Sequence, residues 1–504
     1  MDLKAGKELI RFATIGAQVA VRRMFNREDG ERFLHNTLSG MPGAPAKIGQ
    51  LLGMRAAKEI PSPQPMPLEE AKALILAESP ALGSQIQSLS EWSRTASLGE
   101  THQAILKNGD LVAVKIQYPG VTESLAAQVD AIFGVAGYSP AKNYDFDVGG
   151  TRSFLRQKLL EETDYRLEAE NQSRFYDRYR GSSIIIPKIY SQYSSSKILT
   201  QSWEESSGLS VLLADSSREI RSKASVIFTA WVLDSMFGLG ALHTDLNPSN
   251  YGFRVEGDSV KLVVYDFGST YAVNRDHAIL FYHWFDATRA GDLHRLRSAM
   301  EAMGFSATRL DPIDGKLLAL SELIFKPLLN DSKWNAGTWN LQKSLDEVLG
   351  QDKWWFRTAG PPWFMYFMRT IQGWHHGLSM LESEIDLAAI WWPWEQKLRI
   401  LALSFPLVKV DRTKTSAVDR HRELKAETLR VLVTEKGENI VELSMPARAV
   451  EDLEDLLPEN VRLKCQSDGI NLTAIKNQAI ANGGEPQELF SASHGERQYR
   501  VWLL

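Results

Sequence analysis

Three oxygen-bearing side chains stand in an order that suits phosphoryl transfer. Asp245 and Asn250 lie five positions apart in His-Thr-Asp-Leu-Asn-Pro-Ser-Asn (243–250), and Asp266 opens Asp-Phe-Gly (266–268) after the apolar run Val260 to Tyr265. A nucleoside triphosphate carries Mg²⁺, which takes near-octahedral oxygen ligands, one or two from the protein and the rest from phosphates and water. Asn250 and Asp266 are the candidate metal ligands. Another carboxylate must face the acceptor hydroxyl without binding metal, and Asp245 has the spacing for that catalytic role.

The elements around these residues must bring them together. A long apolar helix, roughly Ser222 to Leu242, leads into the Asp245 loop. Residues 251–254 and 260–265 read as two strands around the turn signal Glu256-Gly257-Asp258. That hairpin places Asp245 before its first strand and Asp266 after its second, at the same end.

Upstream, Thr95 to Leu106 and Leu111 to Gly120 flank the turn Lys107-Asn108-Gly109-Asp110, and Val112-Ala113-Val114-Lys115 sets a lysine inside a strand. Lysine is costly to bury unpaired, so a partner is expected. Phe154 to Tyr176 contains no Gly or Pro and reads as one acidic helix whose Glu162 or Glu168 can supply that partner. Ser183 to Tyr190 and Lys197 to Gln201 read as two more strands completing a small antiparallel sheet, with Ser202 to Gly208 as the hinge to a larger lobe. Pro45 to Pro61 reads as a helix with Lys47 and Gln50 on one face.

Composition sets limits on function. The 504 residues suit two or three domains, and a net charge of −5 with no basic cluster argues against a nucleic-acid partner. The single cysteine, Cys465, cannot form an intrachain disulfide and reads as a small apolar residue. No signal peptide or transmembrane run is legible, so the protein is expected to be cytoplasmic or peripheral on the inner face of a membrane. Lys4 to Phe25 mixes basic and apolar residues, which suits either a helix on a membrane surface or one packed on the protein's own core. Nine of the 14 tryptophans fall between Trp334 and Trp394, which suits either lipid contact or packing of a helical lobe.

Taken in order, Lys47-Ile-Gly-Gln50, the loop Thr95-Ala96-Ser97-Leu98-Gly99-Glu100, Val-Ala-Val-Lys115, Glu162-Thr-Asp164, Glu168-Ala-Glu-Asn171, the Asp245–Asn250 loop and Asp266-Phe-Gly268 resemble the UbiB/AarF (ABC1-type) atypical kinase family. The resemblance implies an α+β, protein-kinase-like bilobal fold, with a small antiparallel sheet lobe and a helical C-lobe. It implies ATP and Mg²⁺ as cofactors and a role linked to isoprenoid quinone (ubiquinone) biosynthesis. Lys115, Ser97 and Gly99 would then bind nucleotide, Asp245 would be catalytic, and Asn250 and Asp266 would hold the metal. Glu168 would pair with Lys115, while Lys47 and Gln50, on an extension over the site, would meet Glu162 and Asp164 on the Glu168 helix. Departures from the family are Arg94-Thr95-Ala96-Ser97, poorer in alanine than its loop, Glu100-Thr101 where it reads Gln-Val, and Leu246, Asn247 and Ser249 within the catalytic loop, while the single glycine of the 95–100 loop departs from the Gly-rich loop of protein kinases. Protein kinases commonly carry a lysine at the position of Asn247, so slow turnover is expected.

The expected organisation is a helical extension (1–81), an N-lobe (82–201), a C-lobe (202–410), a linker (411–427) and a small α/β appendage (428–504). The expected function is an atypical kinase or ATPase supporting quinone or lipid metabolism. A small-molecule phosphotransferase and a nucleotide-binding scaffold without turnover are the alternatives. Expected partners are a nucleotide, a lipid or quinone-precursor ligand and a membrane surface.

Overall fold

The computed structural model describes residues 65–96, 98–122, 148–329, 333–405, 425–426, 428–435, 438–447, 464–494 and 497–504, with single residues 407, 450 and 453. Lys47, Gln50, Ser97, the Lys4 to Phe25 segment and residues 411–424 lie outside the described residues. The chain forms two compact units, divided between Lys409 and Val410.

In the first unit, α1 (Leu68–Glu78) precedes β1 (Ile86–Thr95), β2 (Gly99–Leu106), β3 (Leu111–Gln117), β4 (Ile184–Ile185) and β5 (Ile198–Ser202). Four of these strands form an antiparallel sheet in the order β1-β2-β3-β5. Successive residues of a strand point to opposite faces. Val112, Val114 and Ile116 of β3 thus pack with Ala104, Leu106, Ile198 and the α1 residues Ala71 and Ile75. Lys115 is left on the opposite face, toward the cleft. The β2–β3 turn needs Gly109, whose φ of +90° lies in the left-handed region that favours glycine.

Two expectations need correction here. The single helix expected over Phe154 to Tyr176 is two helices, α2 (Val148–Glu161) and α3 (Tyr165–Tyr179). Asp164 is the N-cap of α3, its carboxylate accepting from the Arg166 N–H, and Thr163 Oγ1 donates back to the Leu160 carbonyl. Glu162 and Asp164 therefore lie at a helix break, off the helix that carries Glu168. A cap can stop a helix without any Gly or Pro. The second correction concerns β4, which does not complete the N-lobe sheet. It pairs in parallel with a C-lobe strand, Ile184 opposite Leu262, because Ile186 is needed in the C-lobe core.

The C-lobe begins with α4 (Arg218–Asp234), buried along Ala224, Phe228 and Trp231, and a π-turn over Ser235–Leu239. Gly240, at φ +71°, turns the chain into β6 (Ala241–His243). β7 (Tyr251–Glu256) and β8 (Ser259–Val264) form the hairpin, and β9 (Thr270–Ala272) returns to pair with β6. Helices α5 (Arg275–Arg289), α6 (Phe364–Leu381) and α7 (Leu387–Leu403) enclose one large apolar core. Trp284, Trp334, Trp339, Trp374 and Trp391 are buried in it, with Trp334 and Trp374 stacked at 5.4 Å. Packing therefore accounts for most of the described C-lobe tryptophans, and Trp392 on α7 is the exposed exception at 61%.

The second unit pairs β10 (Thr428–Glu435), β11 (Glu438–Pro446), β12 (Gln487–His494) and β13 (Arg497–Leu503) in the order β11-β10-β13-β12, with α8 (Leu472–Ala481) beside them. Leu429, Val450, Cys465 and Val501 form its core. Cys465 is fully buried there as a small apolar group.

Phe253 of β7, on the hairpin that joins the two loops of the site, is fully buried. Phe253→Ala is expected to destabilise the first unit by about 3–5 kcal/mol, as large-to-small changes of a buried aromatic do. Urea unfolding followed by tryptophan fluorescence measures it.

Candidate active site

The loops at Asp245 and Asp266 are joined on both sides by backbone hydrogen bonds. On one side β6 pairs with β9, His243 opposite Thr270, and the Thr244 N–H donates to the Ser269 carbonyl at 3.0 Å. On the other, the Tyr265 N–H donates to the Asn250 carbonyl at 3.0 Å, where the β7–β8 hairpin closes. His243 adds a cross-link, its Nε2–H donating to the Asp266 carbonyl at 2.5 Å. Burial holds this imidazole below its ordinary pKa, so the ring is neutral and acts as a fixed donor.

Lys115 reaches this pair of loops from the sheet. Its Nζ lies 2.9 and 2.8 Å from the two carboxylate oxygens of Glu168 on α3 and 3.0 Å from Asp266 Oδ2. Burial opposes the ammonium's charge, but Asp266 first and then Glu168 overcome it and hold the lysine well above its usual range. Glu168, only 3% exposed, is pushed up by burial while Lys115 and the Phe267 N–H pull it down. One cation thus joins strand β3, helix α3 and the Asp-Phe-Gly turn. The second Asp266 oxygen accepts from the Gly268 N–H at 3.0 Å.

Asn250 Nδ2 donates to the Asp245 carbonyl at 3.1 Å, which turns Oδ1 away from the backbone, where Ser249 Oγ donates to it at 3.2 Å. Asp266 remains one-third exposed. The donor set facing the cleft is therefore an amide oxygen and a carboxylate. Such hard oxygen donors fit Mg²⁺ and do not resemble a zinc site. Among the described residues no cluster of His, Cys, Asp and Glu suits another metal.

Gly99 opens β2 where a Cβ would lie 2.2 Å from the Ile116 carbonyl, so only glycine allows β2 and β3 this close. Glu162 is buried and Asp164 serves the α3 cap and an ion pair with Arg166.

Three neighbours were not legible from local sequence. Tyr165 lies with its ring 5.0 Å from the Lys115 ammonium and its hydroxyl under Gly99. Glu100, fully buried, accepts from the Met66 N–H at 3.0 Å and lies 2.8 Å from His102 Nε2, tying the segment before α1 to the β2–β3 hairpin. Arg369 of α6 lies 2.9 Å from Asp245. The departure at Glu100 was visible as a residue difference, but neither its burial nor the reach of Arg369 over 124 positions leaves a local pattern.

Glu168→Gln removes one of the two charges that neutralise Lys115 while Asp266 remains. A loss of about 1.5–3 kcal/mol is expected, the range for hydrogen bonds to charged groups, measured by denaturant unfolding. Lys115→Met, which leaves two carboxylates opposed, should cost more in the same assay.

The ABC1 atypical kinase-like domain matches residues 63–300. Atypical kinase COQ8B, mitochondrial, of Danio rerio is 26% identical over 287 residues, covering 54% of this chain and 45% of that protein. Atypical kinase COQ8, mitochondrial, of Saccharomyces cerevisiae is 26% identical over 253 residues, covering 47% and 49% respectively. The match thus spans less than half the length of these curated relatives. Among solved structures, Rv3197 of Mycobacterium tuberculosis, determined with erythromycin, superposes with a TM-score of 0.50 at 23% identity, over 74% of this chain and 97% of that one. That likeness concerns the fold, which is the bilobal kinase-like α+β architecture described above. Residues 63–300 thus match an ABC1 atypical kinase-like domain, in line with the motifs' resemblance to the UbiB/AarF atypical kinases.

Proposed function

We propose that the cleft binds ATP with Mg²⁺ and that the chain is an atypical kinase or ATPase supporting isoprenoid quinone biosynthesis or lipid metabolism. The observation that carries this reading is the Lys115 ammonium held between Glu168 and Asp266, with Asp245 and Asn250 fastened to the same turn. Lys115 contacts the nucleotide phosphates, and Gly99 and Ser97 are the further nucleotide-binding residues. Asn250 and Asp266 hold the metal, which when bound neutralises phosphate charge. Asp245 faces the acceptor, a hydroxyl or water. Lys47 and Gln50 belong to an extension that restrains the site through Glu162 and Asp164. The COQ8 names of the relatives support the quinone side of the reading.

The lipid side rests on α7, which leaves Trp392, Ile400 and Leu403 61%, 67% and 81% exposed on one face. No helix among the described residues is long and apolar enough to cross a membrane, so this contact would be peripheral. Flotation with anionic liposomes should recover the protein, and Trp392→Ser with Leu403→Ser should reduce recovery. Equal recovery of the variant would remove α7 from the reading.

Asp266→Asn should weaken Mg-dependent ATP binding, because it removes the carboxylate opposite the cation. Asp245→Asn should leave binding near wild type and lower turnover by about 10²- to 10⁴-fold, the scale of a lost general base. Titration calorimetry with and without Mg²⁺, beside phosphate release, separates the two. Equal loss of binding in both variants contradicts the division of roles.

A further inference from the structure

Asp245 has a partner that belongs to none of the motifs. Its Oδ1 lies 2.9 Å from Nη2 of Arg369, whose side chain is only 10% exposed. Burial opposes the guanidinium's charge, yet Asp245 first and Glu162 next hold its pKa above the ordinary value. Arg369 therefore sits in the field of two carboxylates, one in the catalytic loop and one at the α2–α3 break.

Helix α6 is fitted to that loop at three successive points. Thr370 Oγ1 donates to the His243 carbonyl at 3.1 Å, on the near side of Asp245. Gly373 lies against Leu246 on the far side, where a Cβ would approach Leu246 Cβ to 2.7 Å. Arg369 occupies the same stretch of helix and meets Asp245 between them. Three contacts from one helix thus bracket Asp245.

The loop itself brings no cation. Asn247 is exposed and its Oδ1 accepts from the Ser249 N–H at 3.0 Å, which commits the side chain to the turn. The pairing with Arg369 engages one Asp245 oxygen. Among the described residues no hydrogen bond occupies the other, Oδ2, and the side chain is 22% exposed.

We propose that Arg369 is the positioning residue for Asp245: its guanidinium holds Oδ1 and aims Oδ2 at the acceptor. The proposal rests on the phosphotransfer reading above. In that reaction the acceptor oxygen bonds the γ-phosphorus, its proton passes to Oδ2, and the P–O bond to the nucleoside diphosphate breaks with its electron pair. Arg369 touches none of the reacting atoms. Its effect is transmitted through the carboxylate, so it should be absent when that carboxylate is absent.

The test is a double-mutant cycle on the full chain, with phosphate release from Mg-ATP as the rate and calorimetric ATP affinity as the control. Arg369→Ala is expected to lower turnover about 10²-fold, the cost of an ångström-scale misplacement, with ATP affinity changed less than about threefold. Arg369→Lys, which keeps a cation and guards against a folding failure in the alanine variant, should recover turnover to within about tenfold of wild type. Asp245→Asn with Arg369→Ala should be no slower than Asp245→Asn alone, because groups acting as one unit are non-additive. Additive losses, a fall in ATP affinity parallel to turnover, or full turnover in Arg369→Ala would each overturn the proposal. Wild-type turnover in Asp245→Asn would instead overturn the phosphotransfer reading, and this inference with it.

Discussion

The buried ammonium of Lys115 is the constraint around which the first unit is arranged. A lysine on the inner face of a sheet cannot remain charged in an apolar setting without partners, and a single exposed carboxylate would not suffice. Glu168 supplies both oxygens from α3 and Asp266 supplies one from the Asp-Phe-Gly turn. The ion cluster therefore determines where α3 lies against the sheet and where the turn lies against α3. Phe175 and Tyr179, farther along α3, extend the same docking into the C-lobe core, with Phe175 4.8 Å from Phe267.

Specificity of arrangement, more than stability, is what such a cluster contributes. Desolvation offsets much of the attraction in a buried ion pair, so its net worth is small while the penalty for breaking it is large. The surrounding apolar core supplies most of the stability and leaves few degrees of freedom for the charged groups. The zipped loops at 243–244 and 269–270 serve the same end by backbone pairing, which depends little on side-chain identity.

Several features of the site were legible in the order of residue types. The turn Glu256-Gly257-Asp258 between two apolar runs specified a hairpin, and hairpin closure by itself puts the residues before and after it at one end. Val112-Ala113-Val114-Lys115 read as a strand carrying a lysine, and packing of the valines on α1 puts that lysine on the other face. Local capping was harder to read: the Asp164 cap divides α2 from α3 within a stretch whose apolar spacing suits one helix. The pairing of Ile184 and Ile185 was also misassigned, because two short β-branched residues fit either lobe's sheet.

The sequence by itself supplied the candidate groups, since acid, amide and lysine occur at spacings that follow from one hairpin and one strand. Those relations act over a few residues and are encoded by turn propensity and periodicity. Tertiary structure alone decided which helix faces the Asp245 carboxylate. Arg369 meets Asp245 because Thr370 and Gly373 let α6 rest on the loop, and that contact arises from packing between segments more than a hundred residues apart. The burial of Glu100 against Met66 was decided the same way. A residue's solvent exposure depends on every element packed around it, and no window of sequence contains them all.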